Sequence, residues 1–437
     1  MFGTDGIRGF PNQGYFIKKN LIKIGYSYGC FLKRASSTLN VFISKDTRKS
    51  SDFIESNLIK GLNQAGLNTI SLGILPTSSL SIFTEKYPYS AGIMITASHN
   101  GHEYSGIKFI NLNGEKISLR DEKEIELLFK RKKIKKNINV KNIKYPYAIS
   151  EYVNEITDKI PCSPPSLKYC VDVSNGASYK ATSMILKKLG HNFSIISNKP
   201  NGENINRRCG VENLSKISKY IIKNKLDFGV AIDGDADRIV FIDKNGEPIQ
   251  GDKIITFLGL NILKKGSKLV TTIMTNSAVD DSLQKNNIQI IRTDVGDKKV
   301  YEMMKKTKSI FGGENSGHYI IKSFLNTSDS NITLLFVLSL LNRKNLKFDY
   351  FDKIKLNPSQ LKSFTVKSKK PLDKINDLEI FKKSFKSKDK SKGYLNIRYS
   401  GTENKIRILI QGLNLKDSDN EINEFENIIK EIQWNEN

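Results

Sequence analysis

Hydrophobic and polar positions recur in one order along this chain. Three segments share it: "VFISKDTRKSSDFIESNLIKGLNQAG" from 41, "YCVDVSNGASYKATSMILKKLG" from 169 and "KLVTTIMTNSAVDDSLQKNNI" from 268. Each opens with a short β-rich run, crosses a polar loop holding Asp or Asn, and continues as an amphipathic helix stopped by Gly or Asn. Such units build parallel sheets covered by helices. Their wide spacing predicts three related α/β domains in series, not a solenoid, whose repeats span roughly 20 to 50 residues.

Polar stretches near 145–150, the turn "KNGEPIQGD" at 244–252 and the stretch near 355–365 mark the joints, giving domains 1–147, 148–247 and 248–358. Beyond them the pattern changes. A β-like "SFTVKS", a Lys/Ser-rich loop, "YLNIRYSGTENKIRILIQG" and an amphipathic helix from about 416 predict a smaller α+β domain, 359–437.

A chain of 437 residues is too long for one core. With 38% hydrophobic residues, 26% charged residues and 30 glycines, it reads as globular with many tight turns. The longest strongly apolar run, "ITLLFVLSLL" at 332–341, is shorter than the ~20 residues of a membrane-spanning helix. The opening "MFGTDGIRGF" lacks the basic start and apolar core of a signal peptide. Cys30, Cys162, Cys170 and Cys209 show no CxxC spacing, which argues against a zinc site or disulfide frame. A cytoplasmic enzyme or binding protein is the expectation. The net charge of +25 raises the question of polyanions, and the densest patches are "KRKKIKK" (130–136) and "KSKDKSKG" (386–393). Few aromatics interleave them to stack on bases, so a solvated lysine-rich surface is the preferred reading and nucleic acid is not an expected partner.

The sharpest chemical signal is "LDFGVAIDGDADRIVFIDKNGEPI", 226–249. An apolar strand ends at Asp233, carboxylates follow at Asp235 and Asp237, and Arg238 comes next. Carboxylates so crowded repel one another unless a cation lies among them. Hard oxygen ligands on a short loop suit Mg²⁺, which keeps positions open for water or a phosphoryl oxygen. An EF-hand starting at Asp233 would need Gly sixth and Glu twelfth, and the chain supplies Arg238 and Lys244. An aspartyl-phosphate phosphatase using an Asp-x-Asp pair stays compatible with this loop alone.

Three further loops carry candidate groups. In "GIMITASHNGHEYSGIKF" (92–109) a strand ends at Ser98, with Lys108 ten residues on. Serine there is commonly a cap or turn former. The lack of a GxSxG setting and the position of His99, poor for a base to its own neighbour, argue against serine-hydrolase chemistry. "FGGENSGHYI" (311–320) places Glu314, Ser316 and His318 among glycine turns, able to meet sugar hydroxyls. "RYSGTENKIR" (398–407) offers Arg398, Ser400, Gly401, Thr402 and Arg407, the donors of a phosphate cradle or, more plainly, a surface hairpin.

"FGTDGIRG", "TASHN" with "GIKF", "DGDADR", "GGENSGH" and "RYSGTENKIR" occur in the order, and at roughly the spacing, of the α-D-phosphohexomutase family, and the resemblance covers nearly the whole chain. The opening "MFGTDGIRG", "NGENINRRCG" (201–210) and the doubled glycine before Glu314 are most similar to the branch acting on glucosamine phosphates; the alternative is the phosphomannomutase/phosphoglucomutase branch. A different class, a non-catalytic polyanion-binding protein, is disfavoured by the intact Ser98, Asp233, Asp235, Asp237 and Lys108.

The resemblance implies an α/β fold of three related domains with mixed sheets plus a C-terminal α+β domain around a central cleft. It implies Ser98 as the phosphorylated serine, sharing one Mg²⁺ with Asp233, Asp235 and Asp237, and Arg8, His99 and Arg238 lining that site with Thr4 nearby. Lys108 and His318 become candidates for proton transfer, Glu314 and Ser316 for sugar contact, and the 398–407 loop for the idle phosphate. The expected partners are sugar phosphates, with a hexosamine 1,6-bisphosphate as intermediate and activator, no membrane, and a monomer or homodimer. Where family members commonly have Pro, this chain has Gly101, Tyr399 and Asn404; it has Asn315 for Gln, and "TSDSN" at 327–331 where Gly-Asp-Gly is common.

Overall fold

The computed structural model describes residues 1–3, 5–35, 39–131, 140–160, 166–387, 393–400 and 403–434. Thr4, Cys162, Gly401, Thr402 and most of the two basic patches lie outside them. Four sheets follow one another. The first orders its strands Ile7–Gly9, Ser105–Ile110, Ser90–Ile95, Asn40–Lys45, Asn68–Ile74, Asn142–Lys144. The second runs Pro248–Ile249, Ile239–Asp243, Phe228–Ile232, Tyr169–Asp172, Phe193–Ile196, and the third Gln289–Thr293, Lys268–Thr272, Phe311–Gly313, Tyr319–Ile321.

The three segments read as repeats supply the same strand in each sheet. Asn40–Lys45, Tyr169–Asp172 and Lys268–Thr272 each pair in parallel on both sides. Buried on both faces, they have the near-continuous apolar character of parallel strands. One parallel neighbour then turns back as an antiparallel hairpin, Ser90–Ile95 with Ser105–Ile110, Phe228–Ile232 with Ile239–Asp243, and Phe311–Gly313 with Tyr319–Ile321. This makes the sheets mixed, and it gives three equivalent hairpin loops: 96–104, 233–238 and 314–318.

The fourth sheet is antiparallel, with Lys405–Gln411 between Ser359–Thr365 and Tyr394–Tyr399 and helices Asn376–Ser387 and Leu415–Trp434 beside it. Its own core is built from residues such as Leu378, Phe381, Ile408 and Phe425. By contrast, one continuous core runs from Phe42 and Phe83 through Tyr169 and Phe228 to Phe311 and Phe351, joining the first three units. The apolar run at 332–341 is the middle of helix Ser330–Arg343, buried in that core. No helix of the described residues is long and apolar enough to cross a membrane.

Candidate active site

The three hairpin loops meet. Ser98 lies in the loop after strand Ser90–Ile95 with φ +51°, in the left-handed region that non-glycine residues seldom adopt. The loop is held there from several sides. The Ser98 N–H donates to Thr96 Oγ1 at 2.8 Å, and the Ser98 carbonyl accepts from Arg48 Nη2 at 3.1 Å and Asn206 Nδ2 at 2.7 Å. Arg48 and Asn206 also hold the Asn100 carbonyl, at 2.8 and 2.9 Å. Arg8 donates to the Ala97 carbonyl at 3.0 Å and to Asn100 Oδ1. Strain stored at one residue persists when its surroundings over-determine it.

Ser98 Oγ then donates to Asp233 Oδ2 at 2.8 Å, across the first and second units. Such proximity needs a glycine: a Cβ on Gly234 would stand 2.5 Å from the Ser98 carbonyl oxygen. His99 Nδ1 lies 3.4 Å from Ser98 Oγ. Burial, Arg238 and Arg8 lower the His99 pKa to about 4, so the ring is neutral near pH 7.

Asp233, Asp235 and Asp237 are fully buried, with one oxygen of each within 4.8 Å of the others. Burial, then Asp237 and Asp235, push the Asp233 carboxyl well above its ordinary range. Burial also opposes ionisation of Asp237, but Lys108 and His318 outweigh it and hold that carboxyl well below its ordinary range. Lys108 Nζ lies 2.8 Å from Asp235, 3.0 Å from Asp237 and 2.8 Å from Asp5. Burial disfavours its charge, yet these carboxylates keep its pKa well above normal. Lys116 adds a second, partly buried ammonium, 3.0 Å from Asp5 and 2.6 Å from Asp297.

The donor set fits a divalent cation. It is all oxygen, and Asp235 Oδ1 is buried with no hydrogen-bond partner while Oδ2 is engaged. An acceptor left bare in a dry interior is costly unless a cation or water reaches it. Asp237, Asp297 and His318 form another possible ligand group, but it includes a ring nitrogen, and both His318 nitrogens already meet carboxylates, so the all-oxygen set suits a hard cation better.

The third loop completes the cluster. His318 Nδ1 meets Glu314 Oε2 at 3.0 Å and its Nε2 meets Asp237 Oδ1 at 3.1 Å. Burial opposes its protonation, but Asp237 prevails and raises the pKa to about 10. Arg238 Nε lies 3.3 Å from the same Nε2, a repulsive approach once the ring is protonated. Glu314 Oε1 also accepts from the Gly296 N–H at 2.9 Å. Ser316 is exposed at the tip. Gly317, at φ +101°, lets this loop approach the second hairpin, where its carbonyl accepts from the Ile239 N–H at 3.1 Å.

Arg398, Ser400 and Arg407 form a separate group on the fourth sheet. Arg398 and Arg407 are cross-strand partners, and burial with the Arg407 charge lowers the Arg398 pKa. Two like charges in register destabilise a bare hairpin and suit an anion. Arg407 donates to Ser400 Oγ at 3.3 Å, and Arg398 Nη2 lies 3.7 Å from Met274 Sδ of the third unit. Sequence reasoning did not single out Asp5, Arg48, Thr77, Lys116 or Asn206 individually. Asp5 and Asn206 lie inside quoted motifs, while Arg48 and Thr77 carry no local signal beyond a polar loop and a helix start.

A hydroxyl aimed at clustered carboxylates, fixed cations around them and a guanidinium pair beyond are chemically suited to the transfer of phosphoryl groups, within three repeated α/β units and a fourth. Comparison with known proteins narrows that class. The chain matches the family models for phosphoglucomutase/phosphomannomutase alpha/beta/alpha domain I over residues 1–136, domain II over 150–246 and domain III over 250–351. It is 38% identical over 430 residues to phosphoglucosamine mutase of Campylobacter hominis, covering 95% of each chain, and 38% identical over 432 residues to that of Aliarcobacter butzleri, covering 95% of this chain and 96% of the other. Its fold is shared with a phosphoglucomutase/phosphomannomutase family protein from Burkholderia thailandensis, at TM-score 0.82 and 19% identity, over 98% of this chain and 96% of that one. It is shared too with Aspergillus fumigatus N-acetylphosphoglucosamine mutase, solved with GlcNAc-6P and magnesium, at TM-score 0.67 and 15% identity, over 99% and 96%. The chain belongs to the phosphohexomutase family of intramolecular phosphotransferases, and within it is most similar to the bacterial phosphoglucosamine mutases.

Proposed function

We propose that this protein interconverts glucosamine 6-phosphate and glucosamine 1-phosphate through phosphorylated Ser98 and a hexosamine 1,6-bisphosphate, which also serves as activator. The observation that carries this reading is the meeting of Ser98 Oγ, 2.8 Å from Asp233, with the buried carboxylates and with Lys108. The choice of amino sugar rests on the similarity to phosphoglucosamine mutases.

In the first half-reaction the Ser98 Oγ–P bond breaks as a bond forms from phosphorus to the free sugar hydroxyl; that hydroxyl gives up its proton and the departing Ser98 oxygen takes one up, so no net proton is released. The second half reverses this with the other phosphate, so net phosphate content is unchanged. Ser98 and Asp233, Asp235 and Asp237 are the residues that would hold Mg²⁺. When bound, that ion neutralises charge on the transferring group, the main demand of phosphoryl transfer. Lys108 supplies a fixed positive charge beside Asp235 and Asp237. We assign proton movement to Lys108 and His318; burial opposes the charge of each, and neighbouring carboxylates raise both pKa values, Asp235, Asp237 and Asp5 for Lys108 and Asp237 for His318. Arg8, His99 and Arg238 line the site, Glu314 and Ser316 meet the sugar, and Arg398, Ser400, Gly401, Thr402 and Arg407 hold the phosphate that is not reacting.

We take 1–147, 148–247, 248–358 and 359–437 as the working domain limits, and the cytoplasm as the compartment, with the chain acting as a monomer or homodimer on small sugar phosphates and without nucleic acid. Phosphorus NMR with Mg²⁺ and a trace of bisphosphate, supplying glucosamine, glucose and mannose 6-phosphate in turn, tests the assignment. Glucosamine 6-phosphate is expected to turn over fastest. If it is the poorest of the three, the phosphomannomutase/phosphoglucomutase branch takes its place.

A further inference from the structure

The stretch Thr327–Asn331, where serines flank Asp329, lies against the back of the carboxylate loop. Ser328 Oγ donates to the Asp237 carbonyl at 2.6 Å. Ser330 Oγ lies 2.9 Å from the Ala236 carbonyl and 2.8 Å from that of Arg238, and its N–H donates to Ala236 at 3.0 Å. Ala236 needs such support, because its φ is +60°.

From the first unit, helix Thr77–Lys86 reaches the same loop end-on. The Thr77 N–H, left free by the helix geometry, donates to the Asp235 carbonyl at 3.0 Å, and its Oγ1 donates to Asp235 Oδ2 at 2.6 Å. Lys108 Nζ lies 2.8 Å from the same oxygen. Oδ2 is therefore committed, and Oδ1 is the buried atom without a partner. The neighbouring Ser78 hydroxyl donates to Asp329 Oδ2, which also accepts from Tyr152 OH at 2.6 Å. The contacts close a circuit through three units: Thr77 and Ser78 from the first, Asp235 and Ala236 from the second, Asp329 and Ser330 from the third.

We propose that Thr77 is a positioning residue for the divalent cation: its hydroxyl fixes the Asp235 carboxylate so that Oδ1 alone is offered, and the Ser78–Asp329–Ser330 brace holds helix and loop in register. The inference rests on the metal assignment above. Without the Thr77 hydroxyl, Asp235 keeps only Lys108 on Oδ2 and is free to turn away from the charges of Asp233 and Asp237. Cation affinity then belongs to the docked three-unit assembly and not to the loop by itself.

The test is calorimetric titration of the whole purified protein with Mg²⁺, paired with Mn²⁺ binding followed by electron paramagnetic resonance, both without sugar phosphate. Partners that orient a ligand typically contribute about 10–100-fold in metal affinity, and Thr77→Val is expected to lose that much. Thr77→Ser, which keeps the hydroxyl, is expected to bind close to wild type. Wild-type affinity in Thr77→Val overturns the proposal, as does a Thr77→Ser as weak as Thr77→Val, because the hydroxyl alone would then not hold the carboxylate. If Thr77→Val yields no folded protein, Ser330→Ala decides: weakened affinity supports the brace and unchanged affinity overturns it. A wild-type protein that binds neither ion defeats the metal assignment itself, whereas unchanged affinity in Thr77→Val defeats the role of Thr77 alone.

Discussion

At the scale of single residues, Ser98 is defined by what surrounds it. The described contacts of its oxygen are with Asp233 and, at 3.4 Å, His99. Ser98→Ala removes only that oxygen, so we expect a folded protein whose mutase rate falls by about a thousandfold or more, as nucleophile removal does elsewhere; progress curves at saturating sugar phosphate would show it, and near-normal turnover would refute the serine shuttle. His191 gives a prediction remote from chemistry. Burial lowers its pKa from 6.5 to about 4, and its Nδ1 meets Tyr169 OH at 2.9 Å. The unfolded chain then binds the extra proton more readily than the folded one, so the stabilisation is present above pH 6.5 and is lost as pH falls toward 4. In urea melts, His191→Asn should remove that part of the pH slope. Ser98 and the three aspartates were legible in the sequence because their chemistry sits in short strings. Thr77 was not, because its partner Asp235 is 158 residues away and a hydroxyl at a helix start reads as a cap.

At the scale of elements, the site is one hairpin used three times. The first loop carries the serine, the second the carboxylates, the third Glu314 and His318, and each is aimed by the same strand order. The repeated segments in the sequence disclosed the parallel strands but not the hairpins, because antiparallel pairing across each loop leaves no signal in the repeats themselves. Loop contact depends on glycine. A Cβ at Gly234 would meet the Ser98 carbonyl at 2.5 Å and Asn206 Nδ2 at 2.9 Å. Gly234→Ala is therefore expected to lower stability by about 1–3 kcal/mol, the usual range for overpacking, and to lower kcat by separating serine from carboxylates; denaturant titration and rate assays together check it. The hairpin of the fourth sheet differs in presenting paired charge, Arg398 opposite Arg407. Arg407→Ala removes one of two guanidinium groups facing across the strands, and charged hydrogen bonds of about 1.5–3 kcal/mol correspond to roughly 10–100-fold in binding. Kinetics in both directions should show comparable losses with either monophosphate and faster escape of the bisphosphate. A loss confined to one direction would place the idle phosphate elsewhere.

At the scale of the whole molecule, one core joins the first three units while the fourth keeps its own. The fourth meets the third through polar contacts, among them Gln411 with the Ser277 N–H at 2.8 Å, Tyr394 OH with the Ile273 carbonyl at 2.9 Å, and Arg292 over the Tyr394 ring at 4.8 Å. Scanning calorimetry is expected to resolve two transitions, one shared by the first three units and a smaller one for the fourth; a single transition with equal calorimetric and van't Hoff enthalpies would contradict this. The assembly of loops from distant segments also has a consequence in time. Ser98 and Asp233 are 135 residues apart. At roughly 5–20 residues per second, the ribosome needs about 7 to 27 s to travel from one to the other. During that interval the serine is already made and its carboxylates are not, so its hydroxyl is no different from any other on the growing chain. Ser98 acquires its surroundings only when synthesis has passed His318, and a chain released early carries the serine without its carboxylate neighbours.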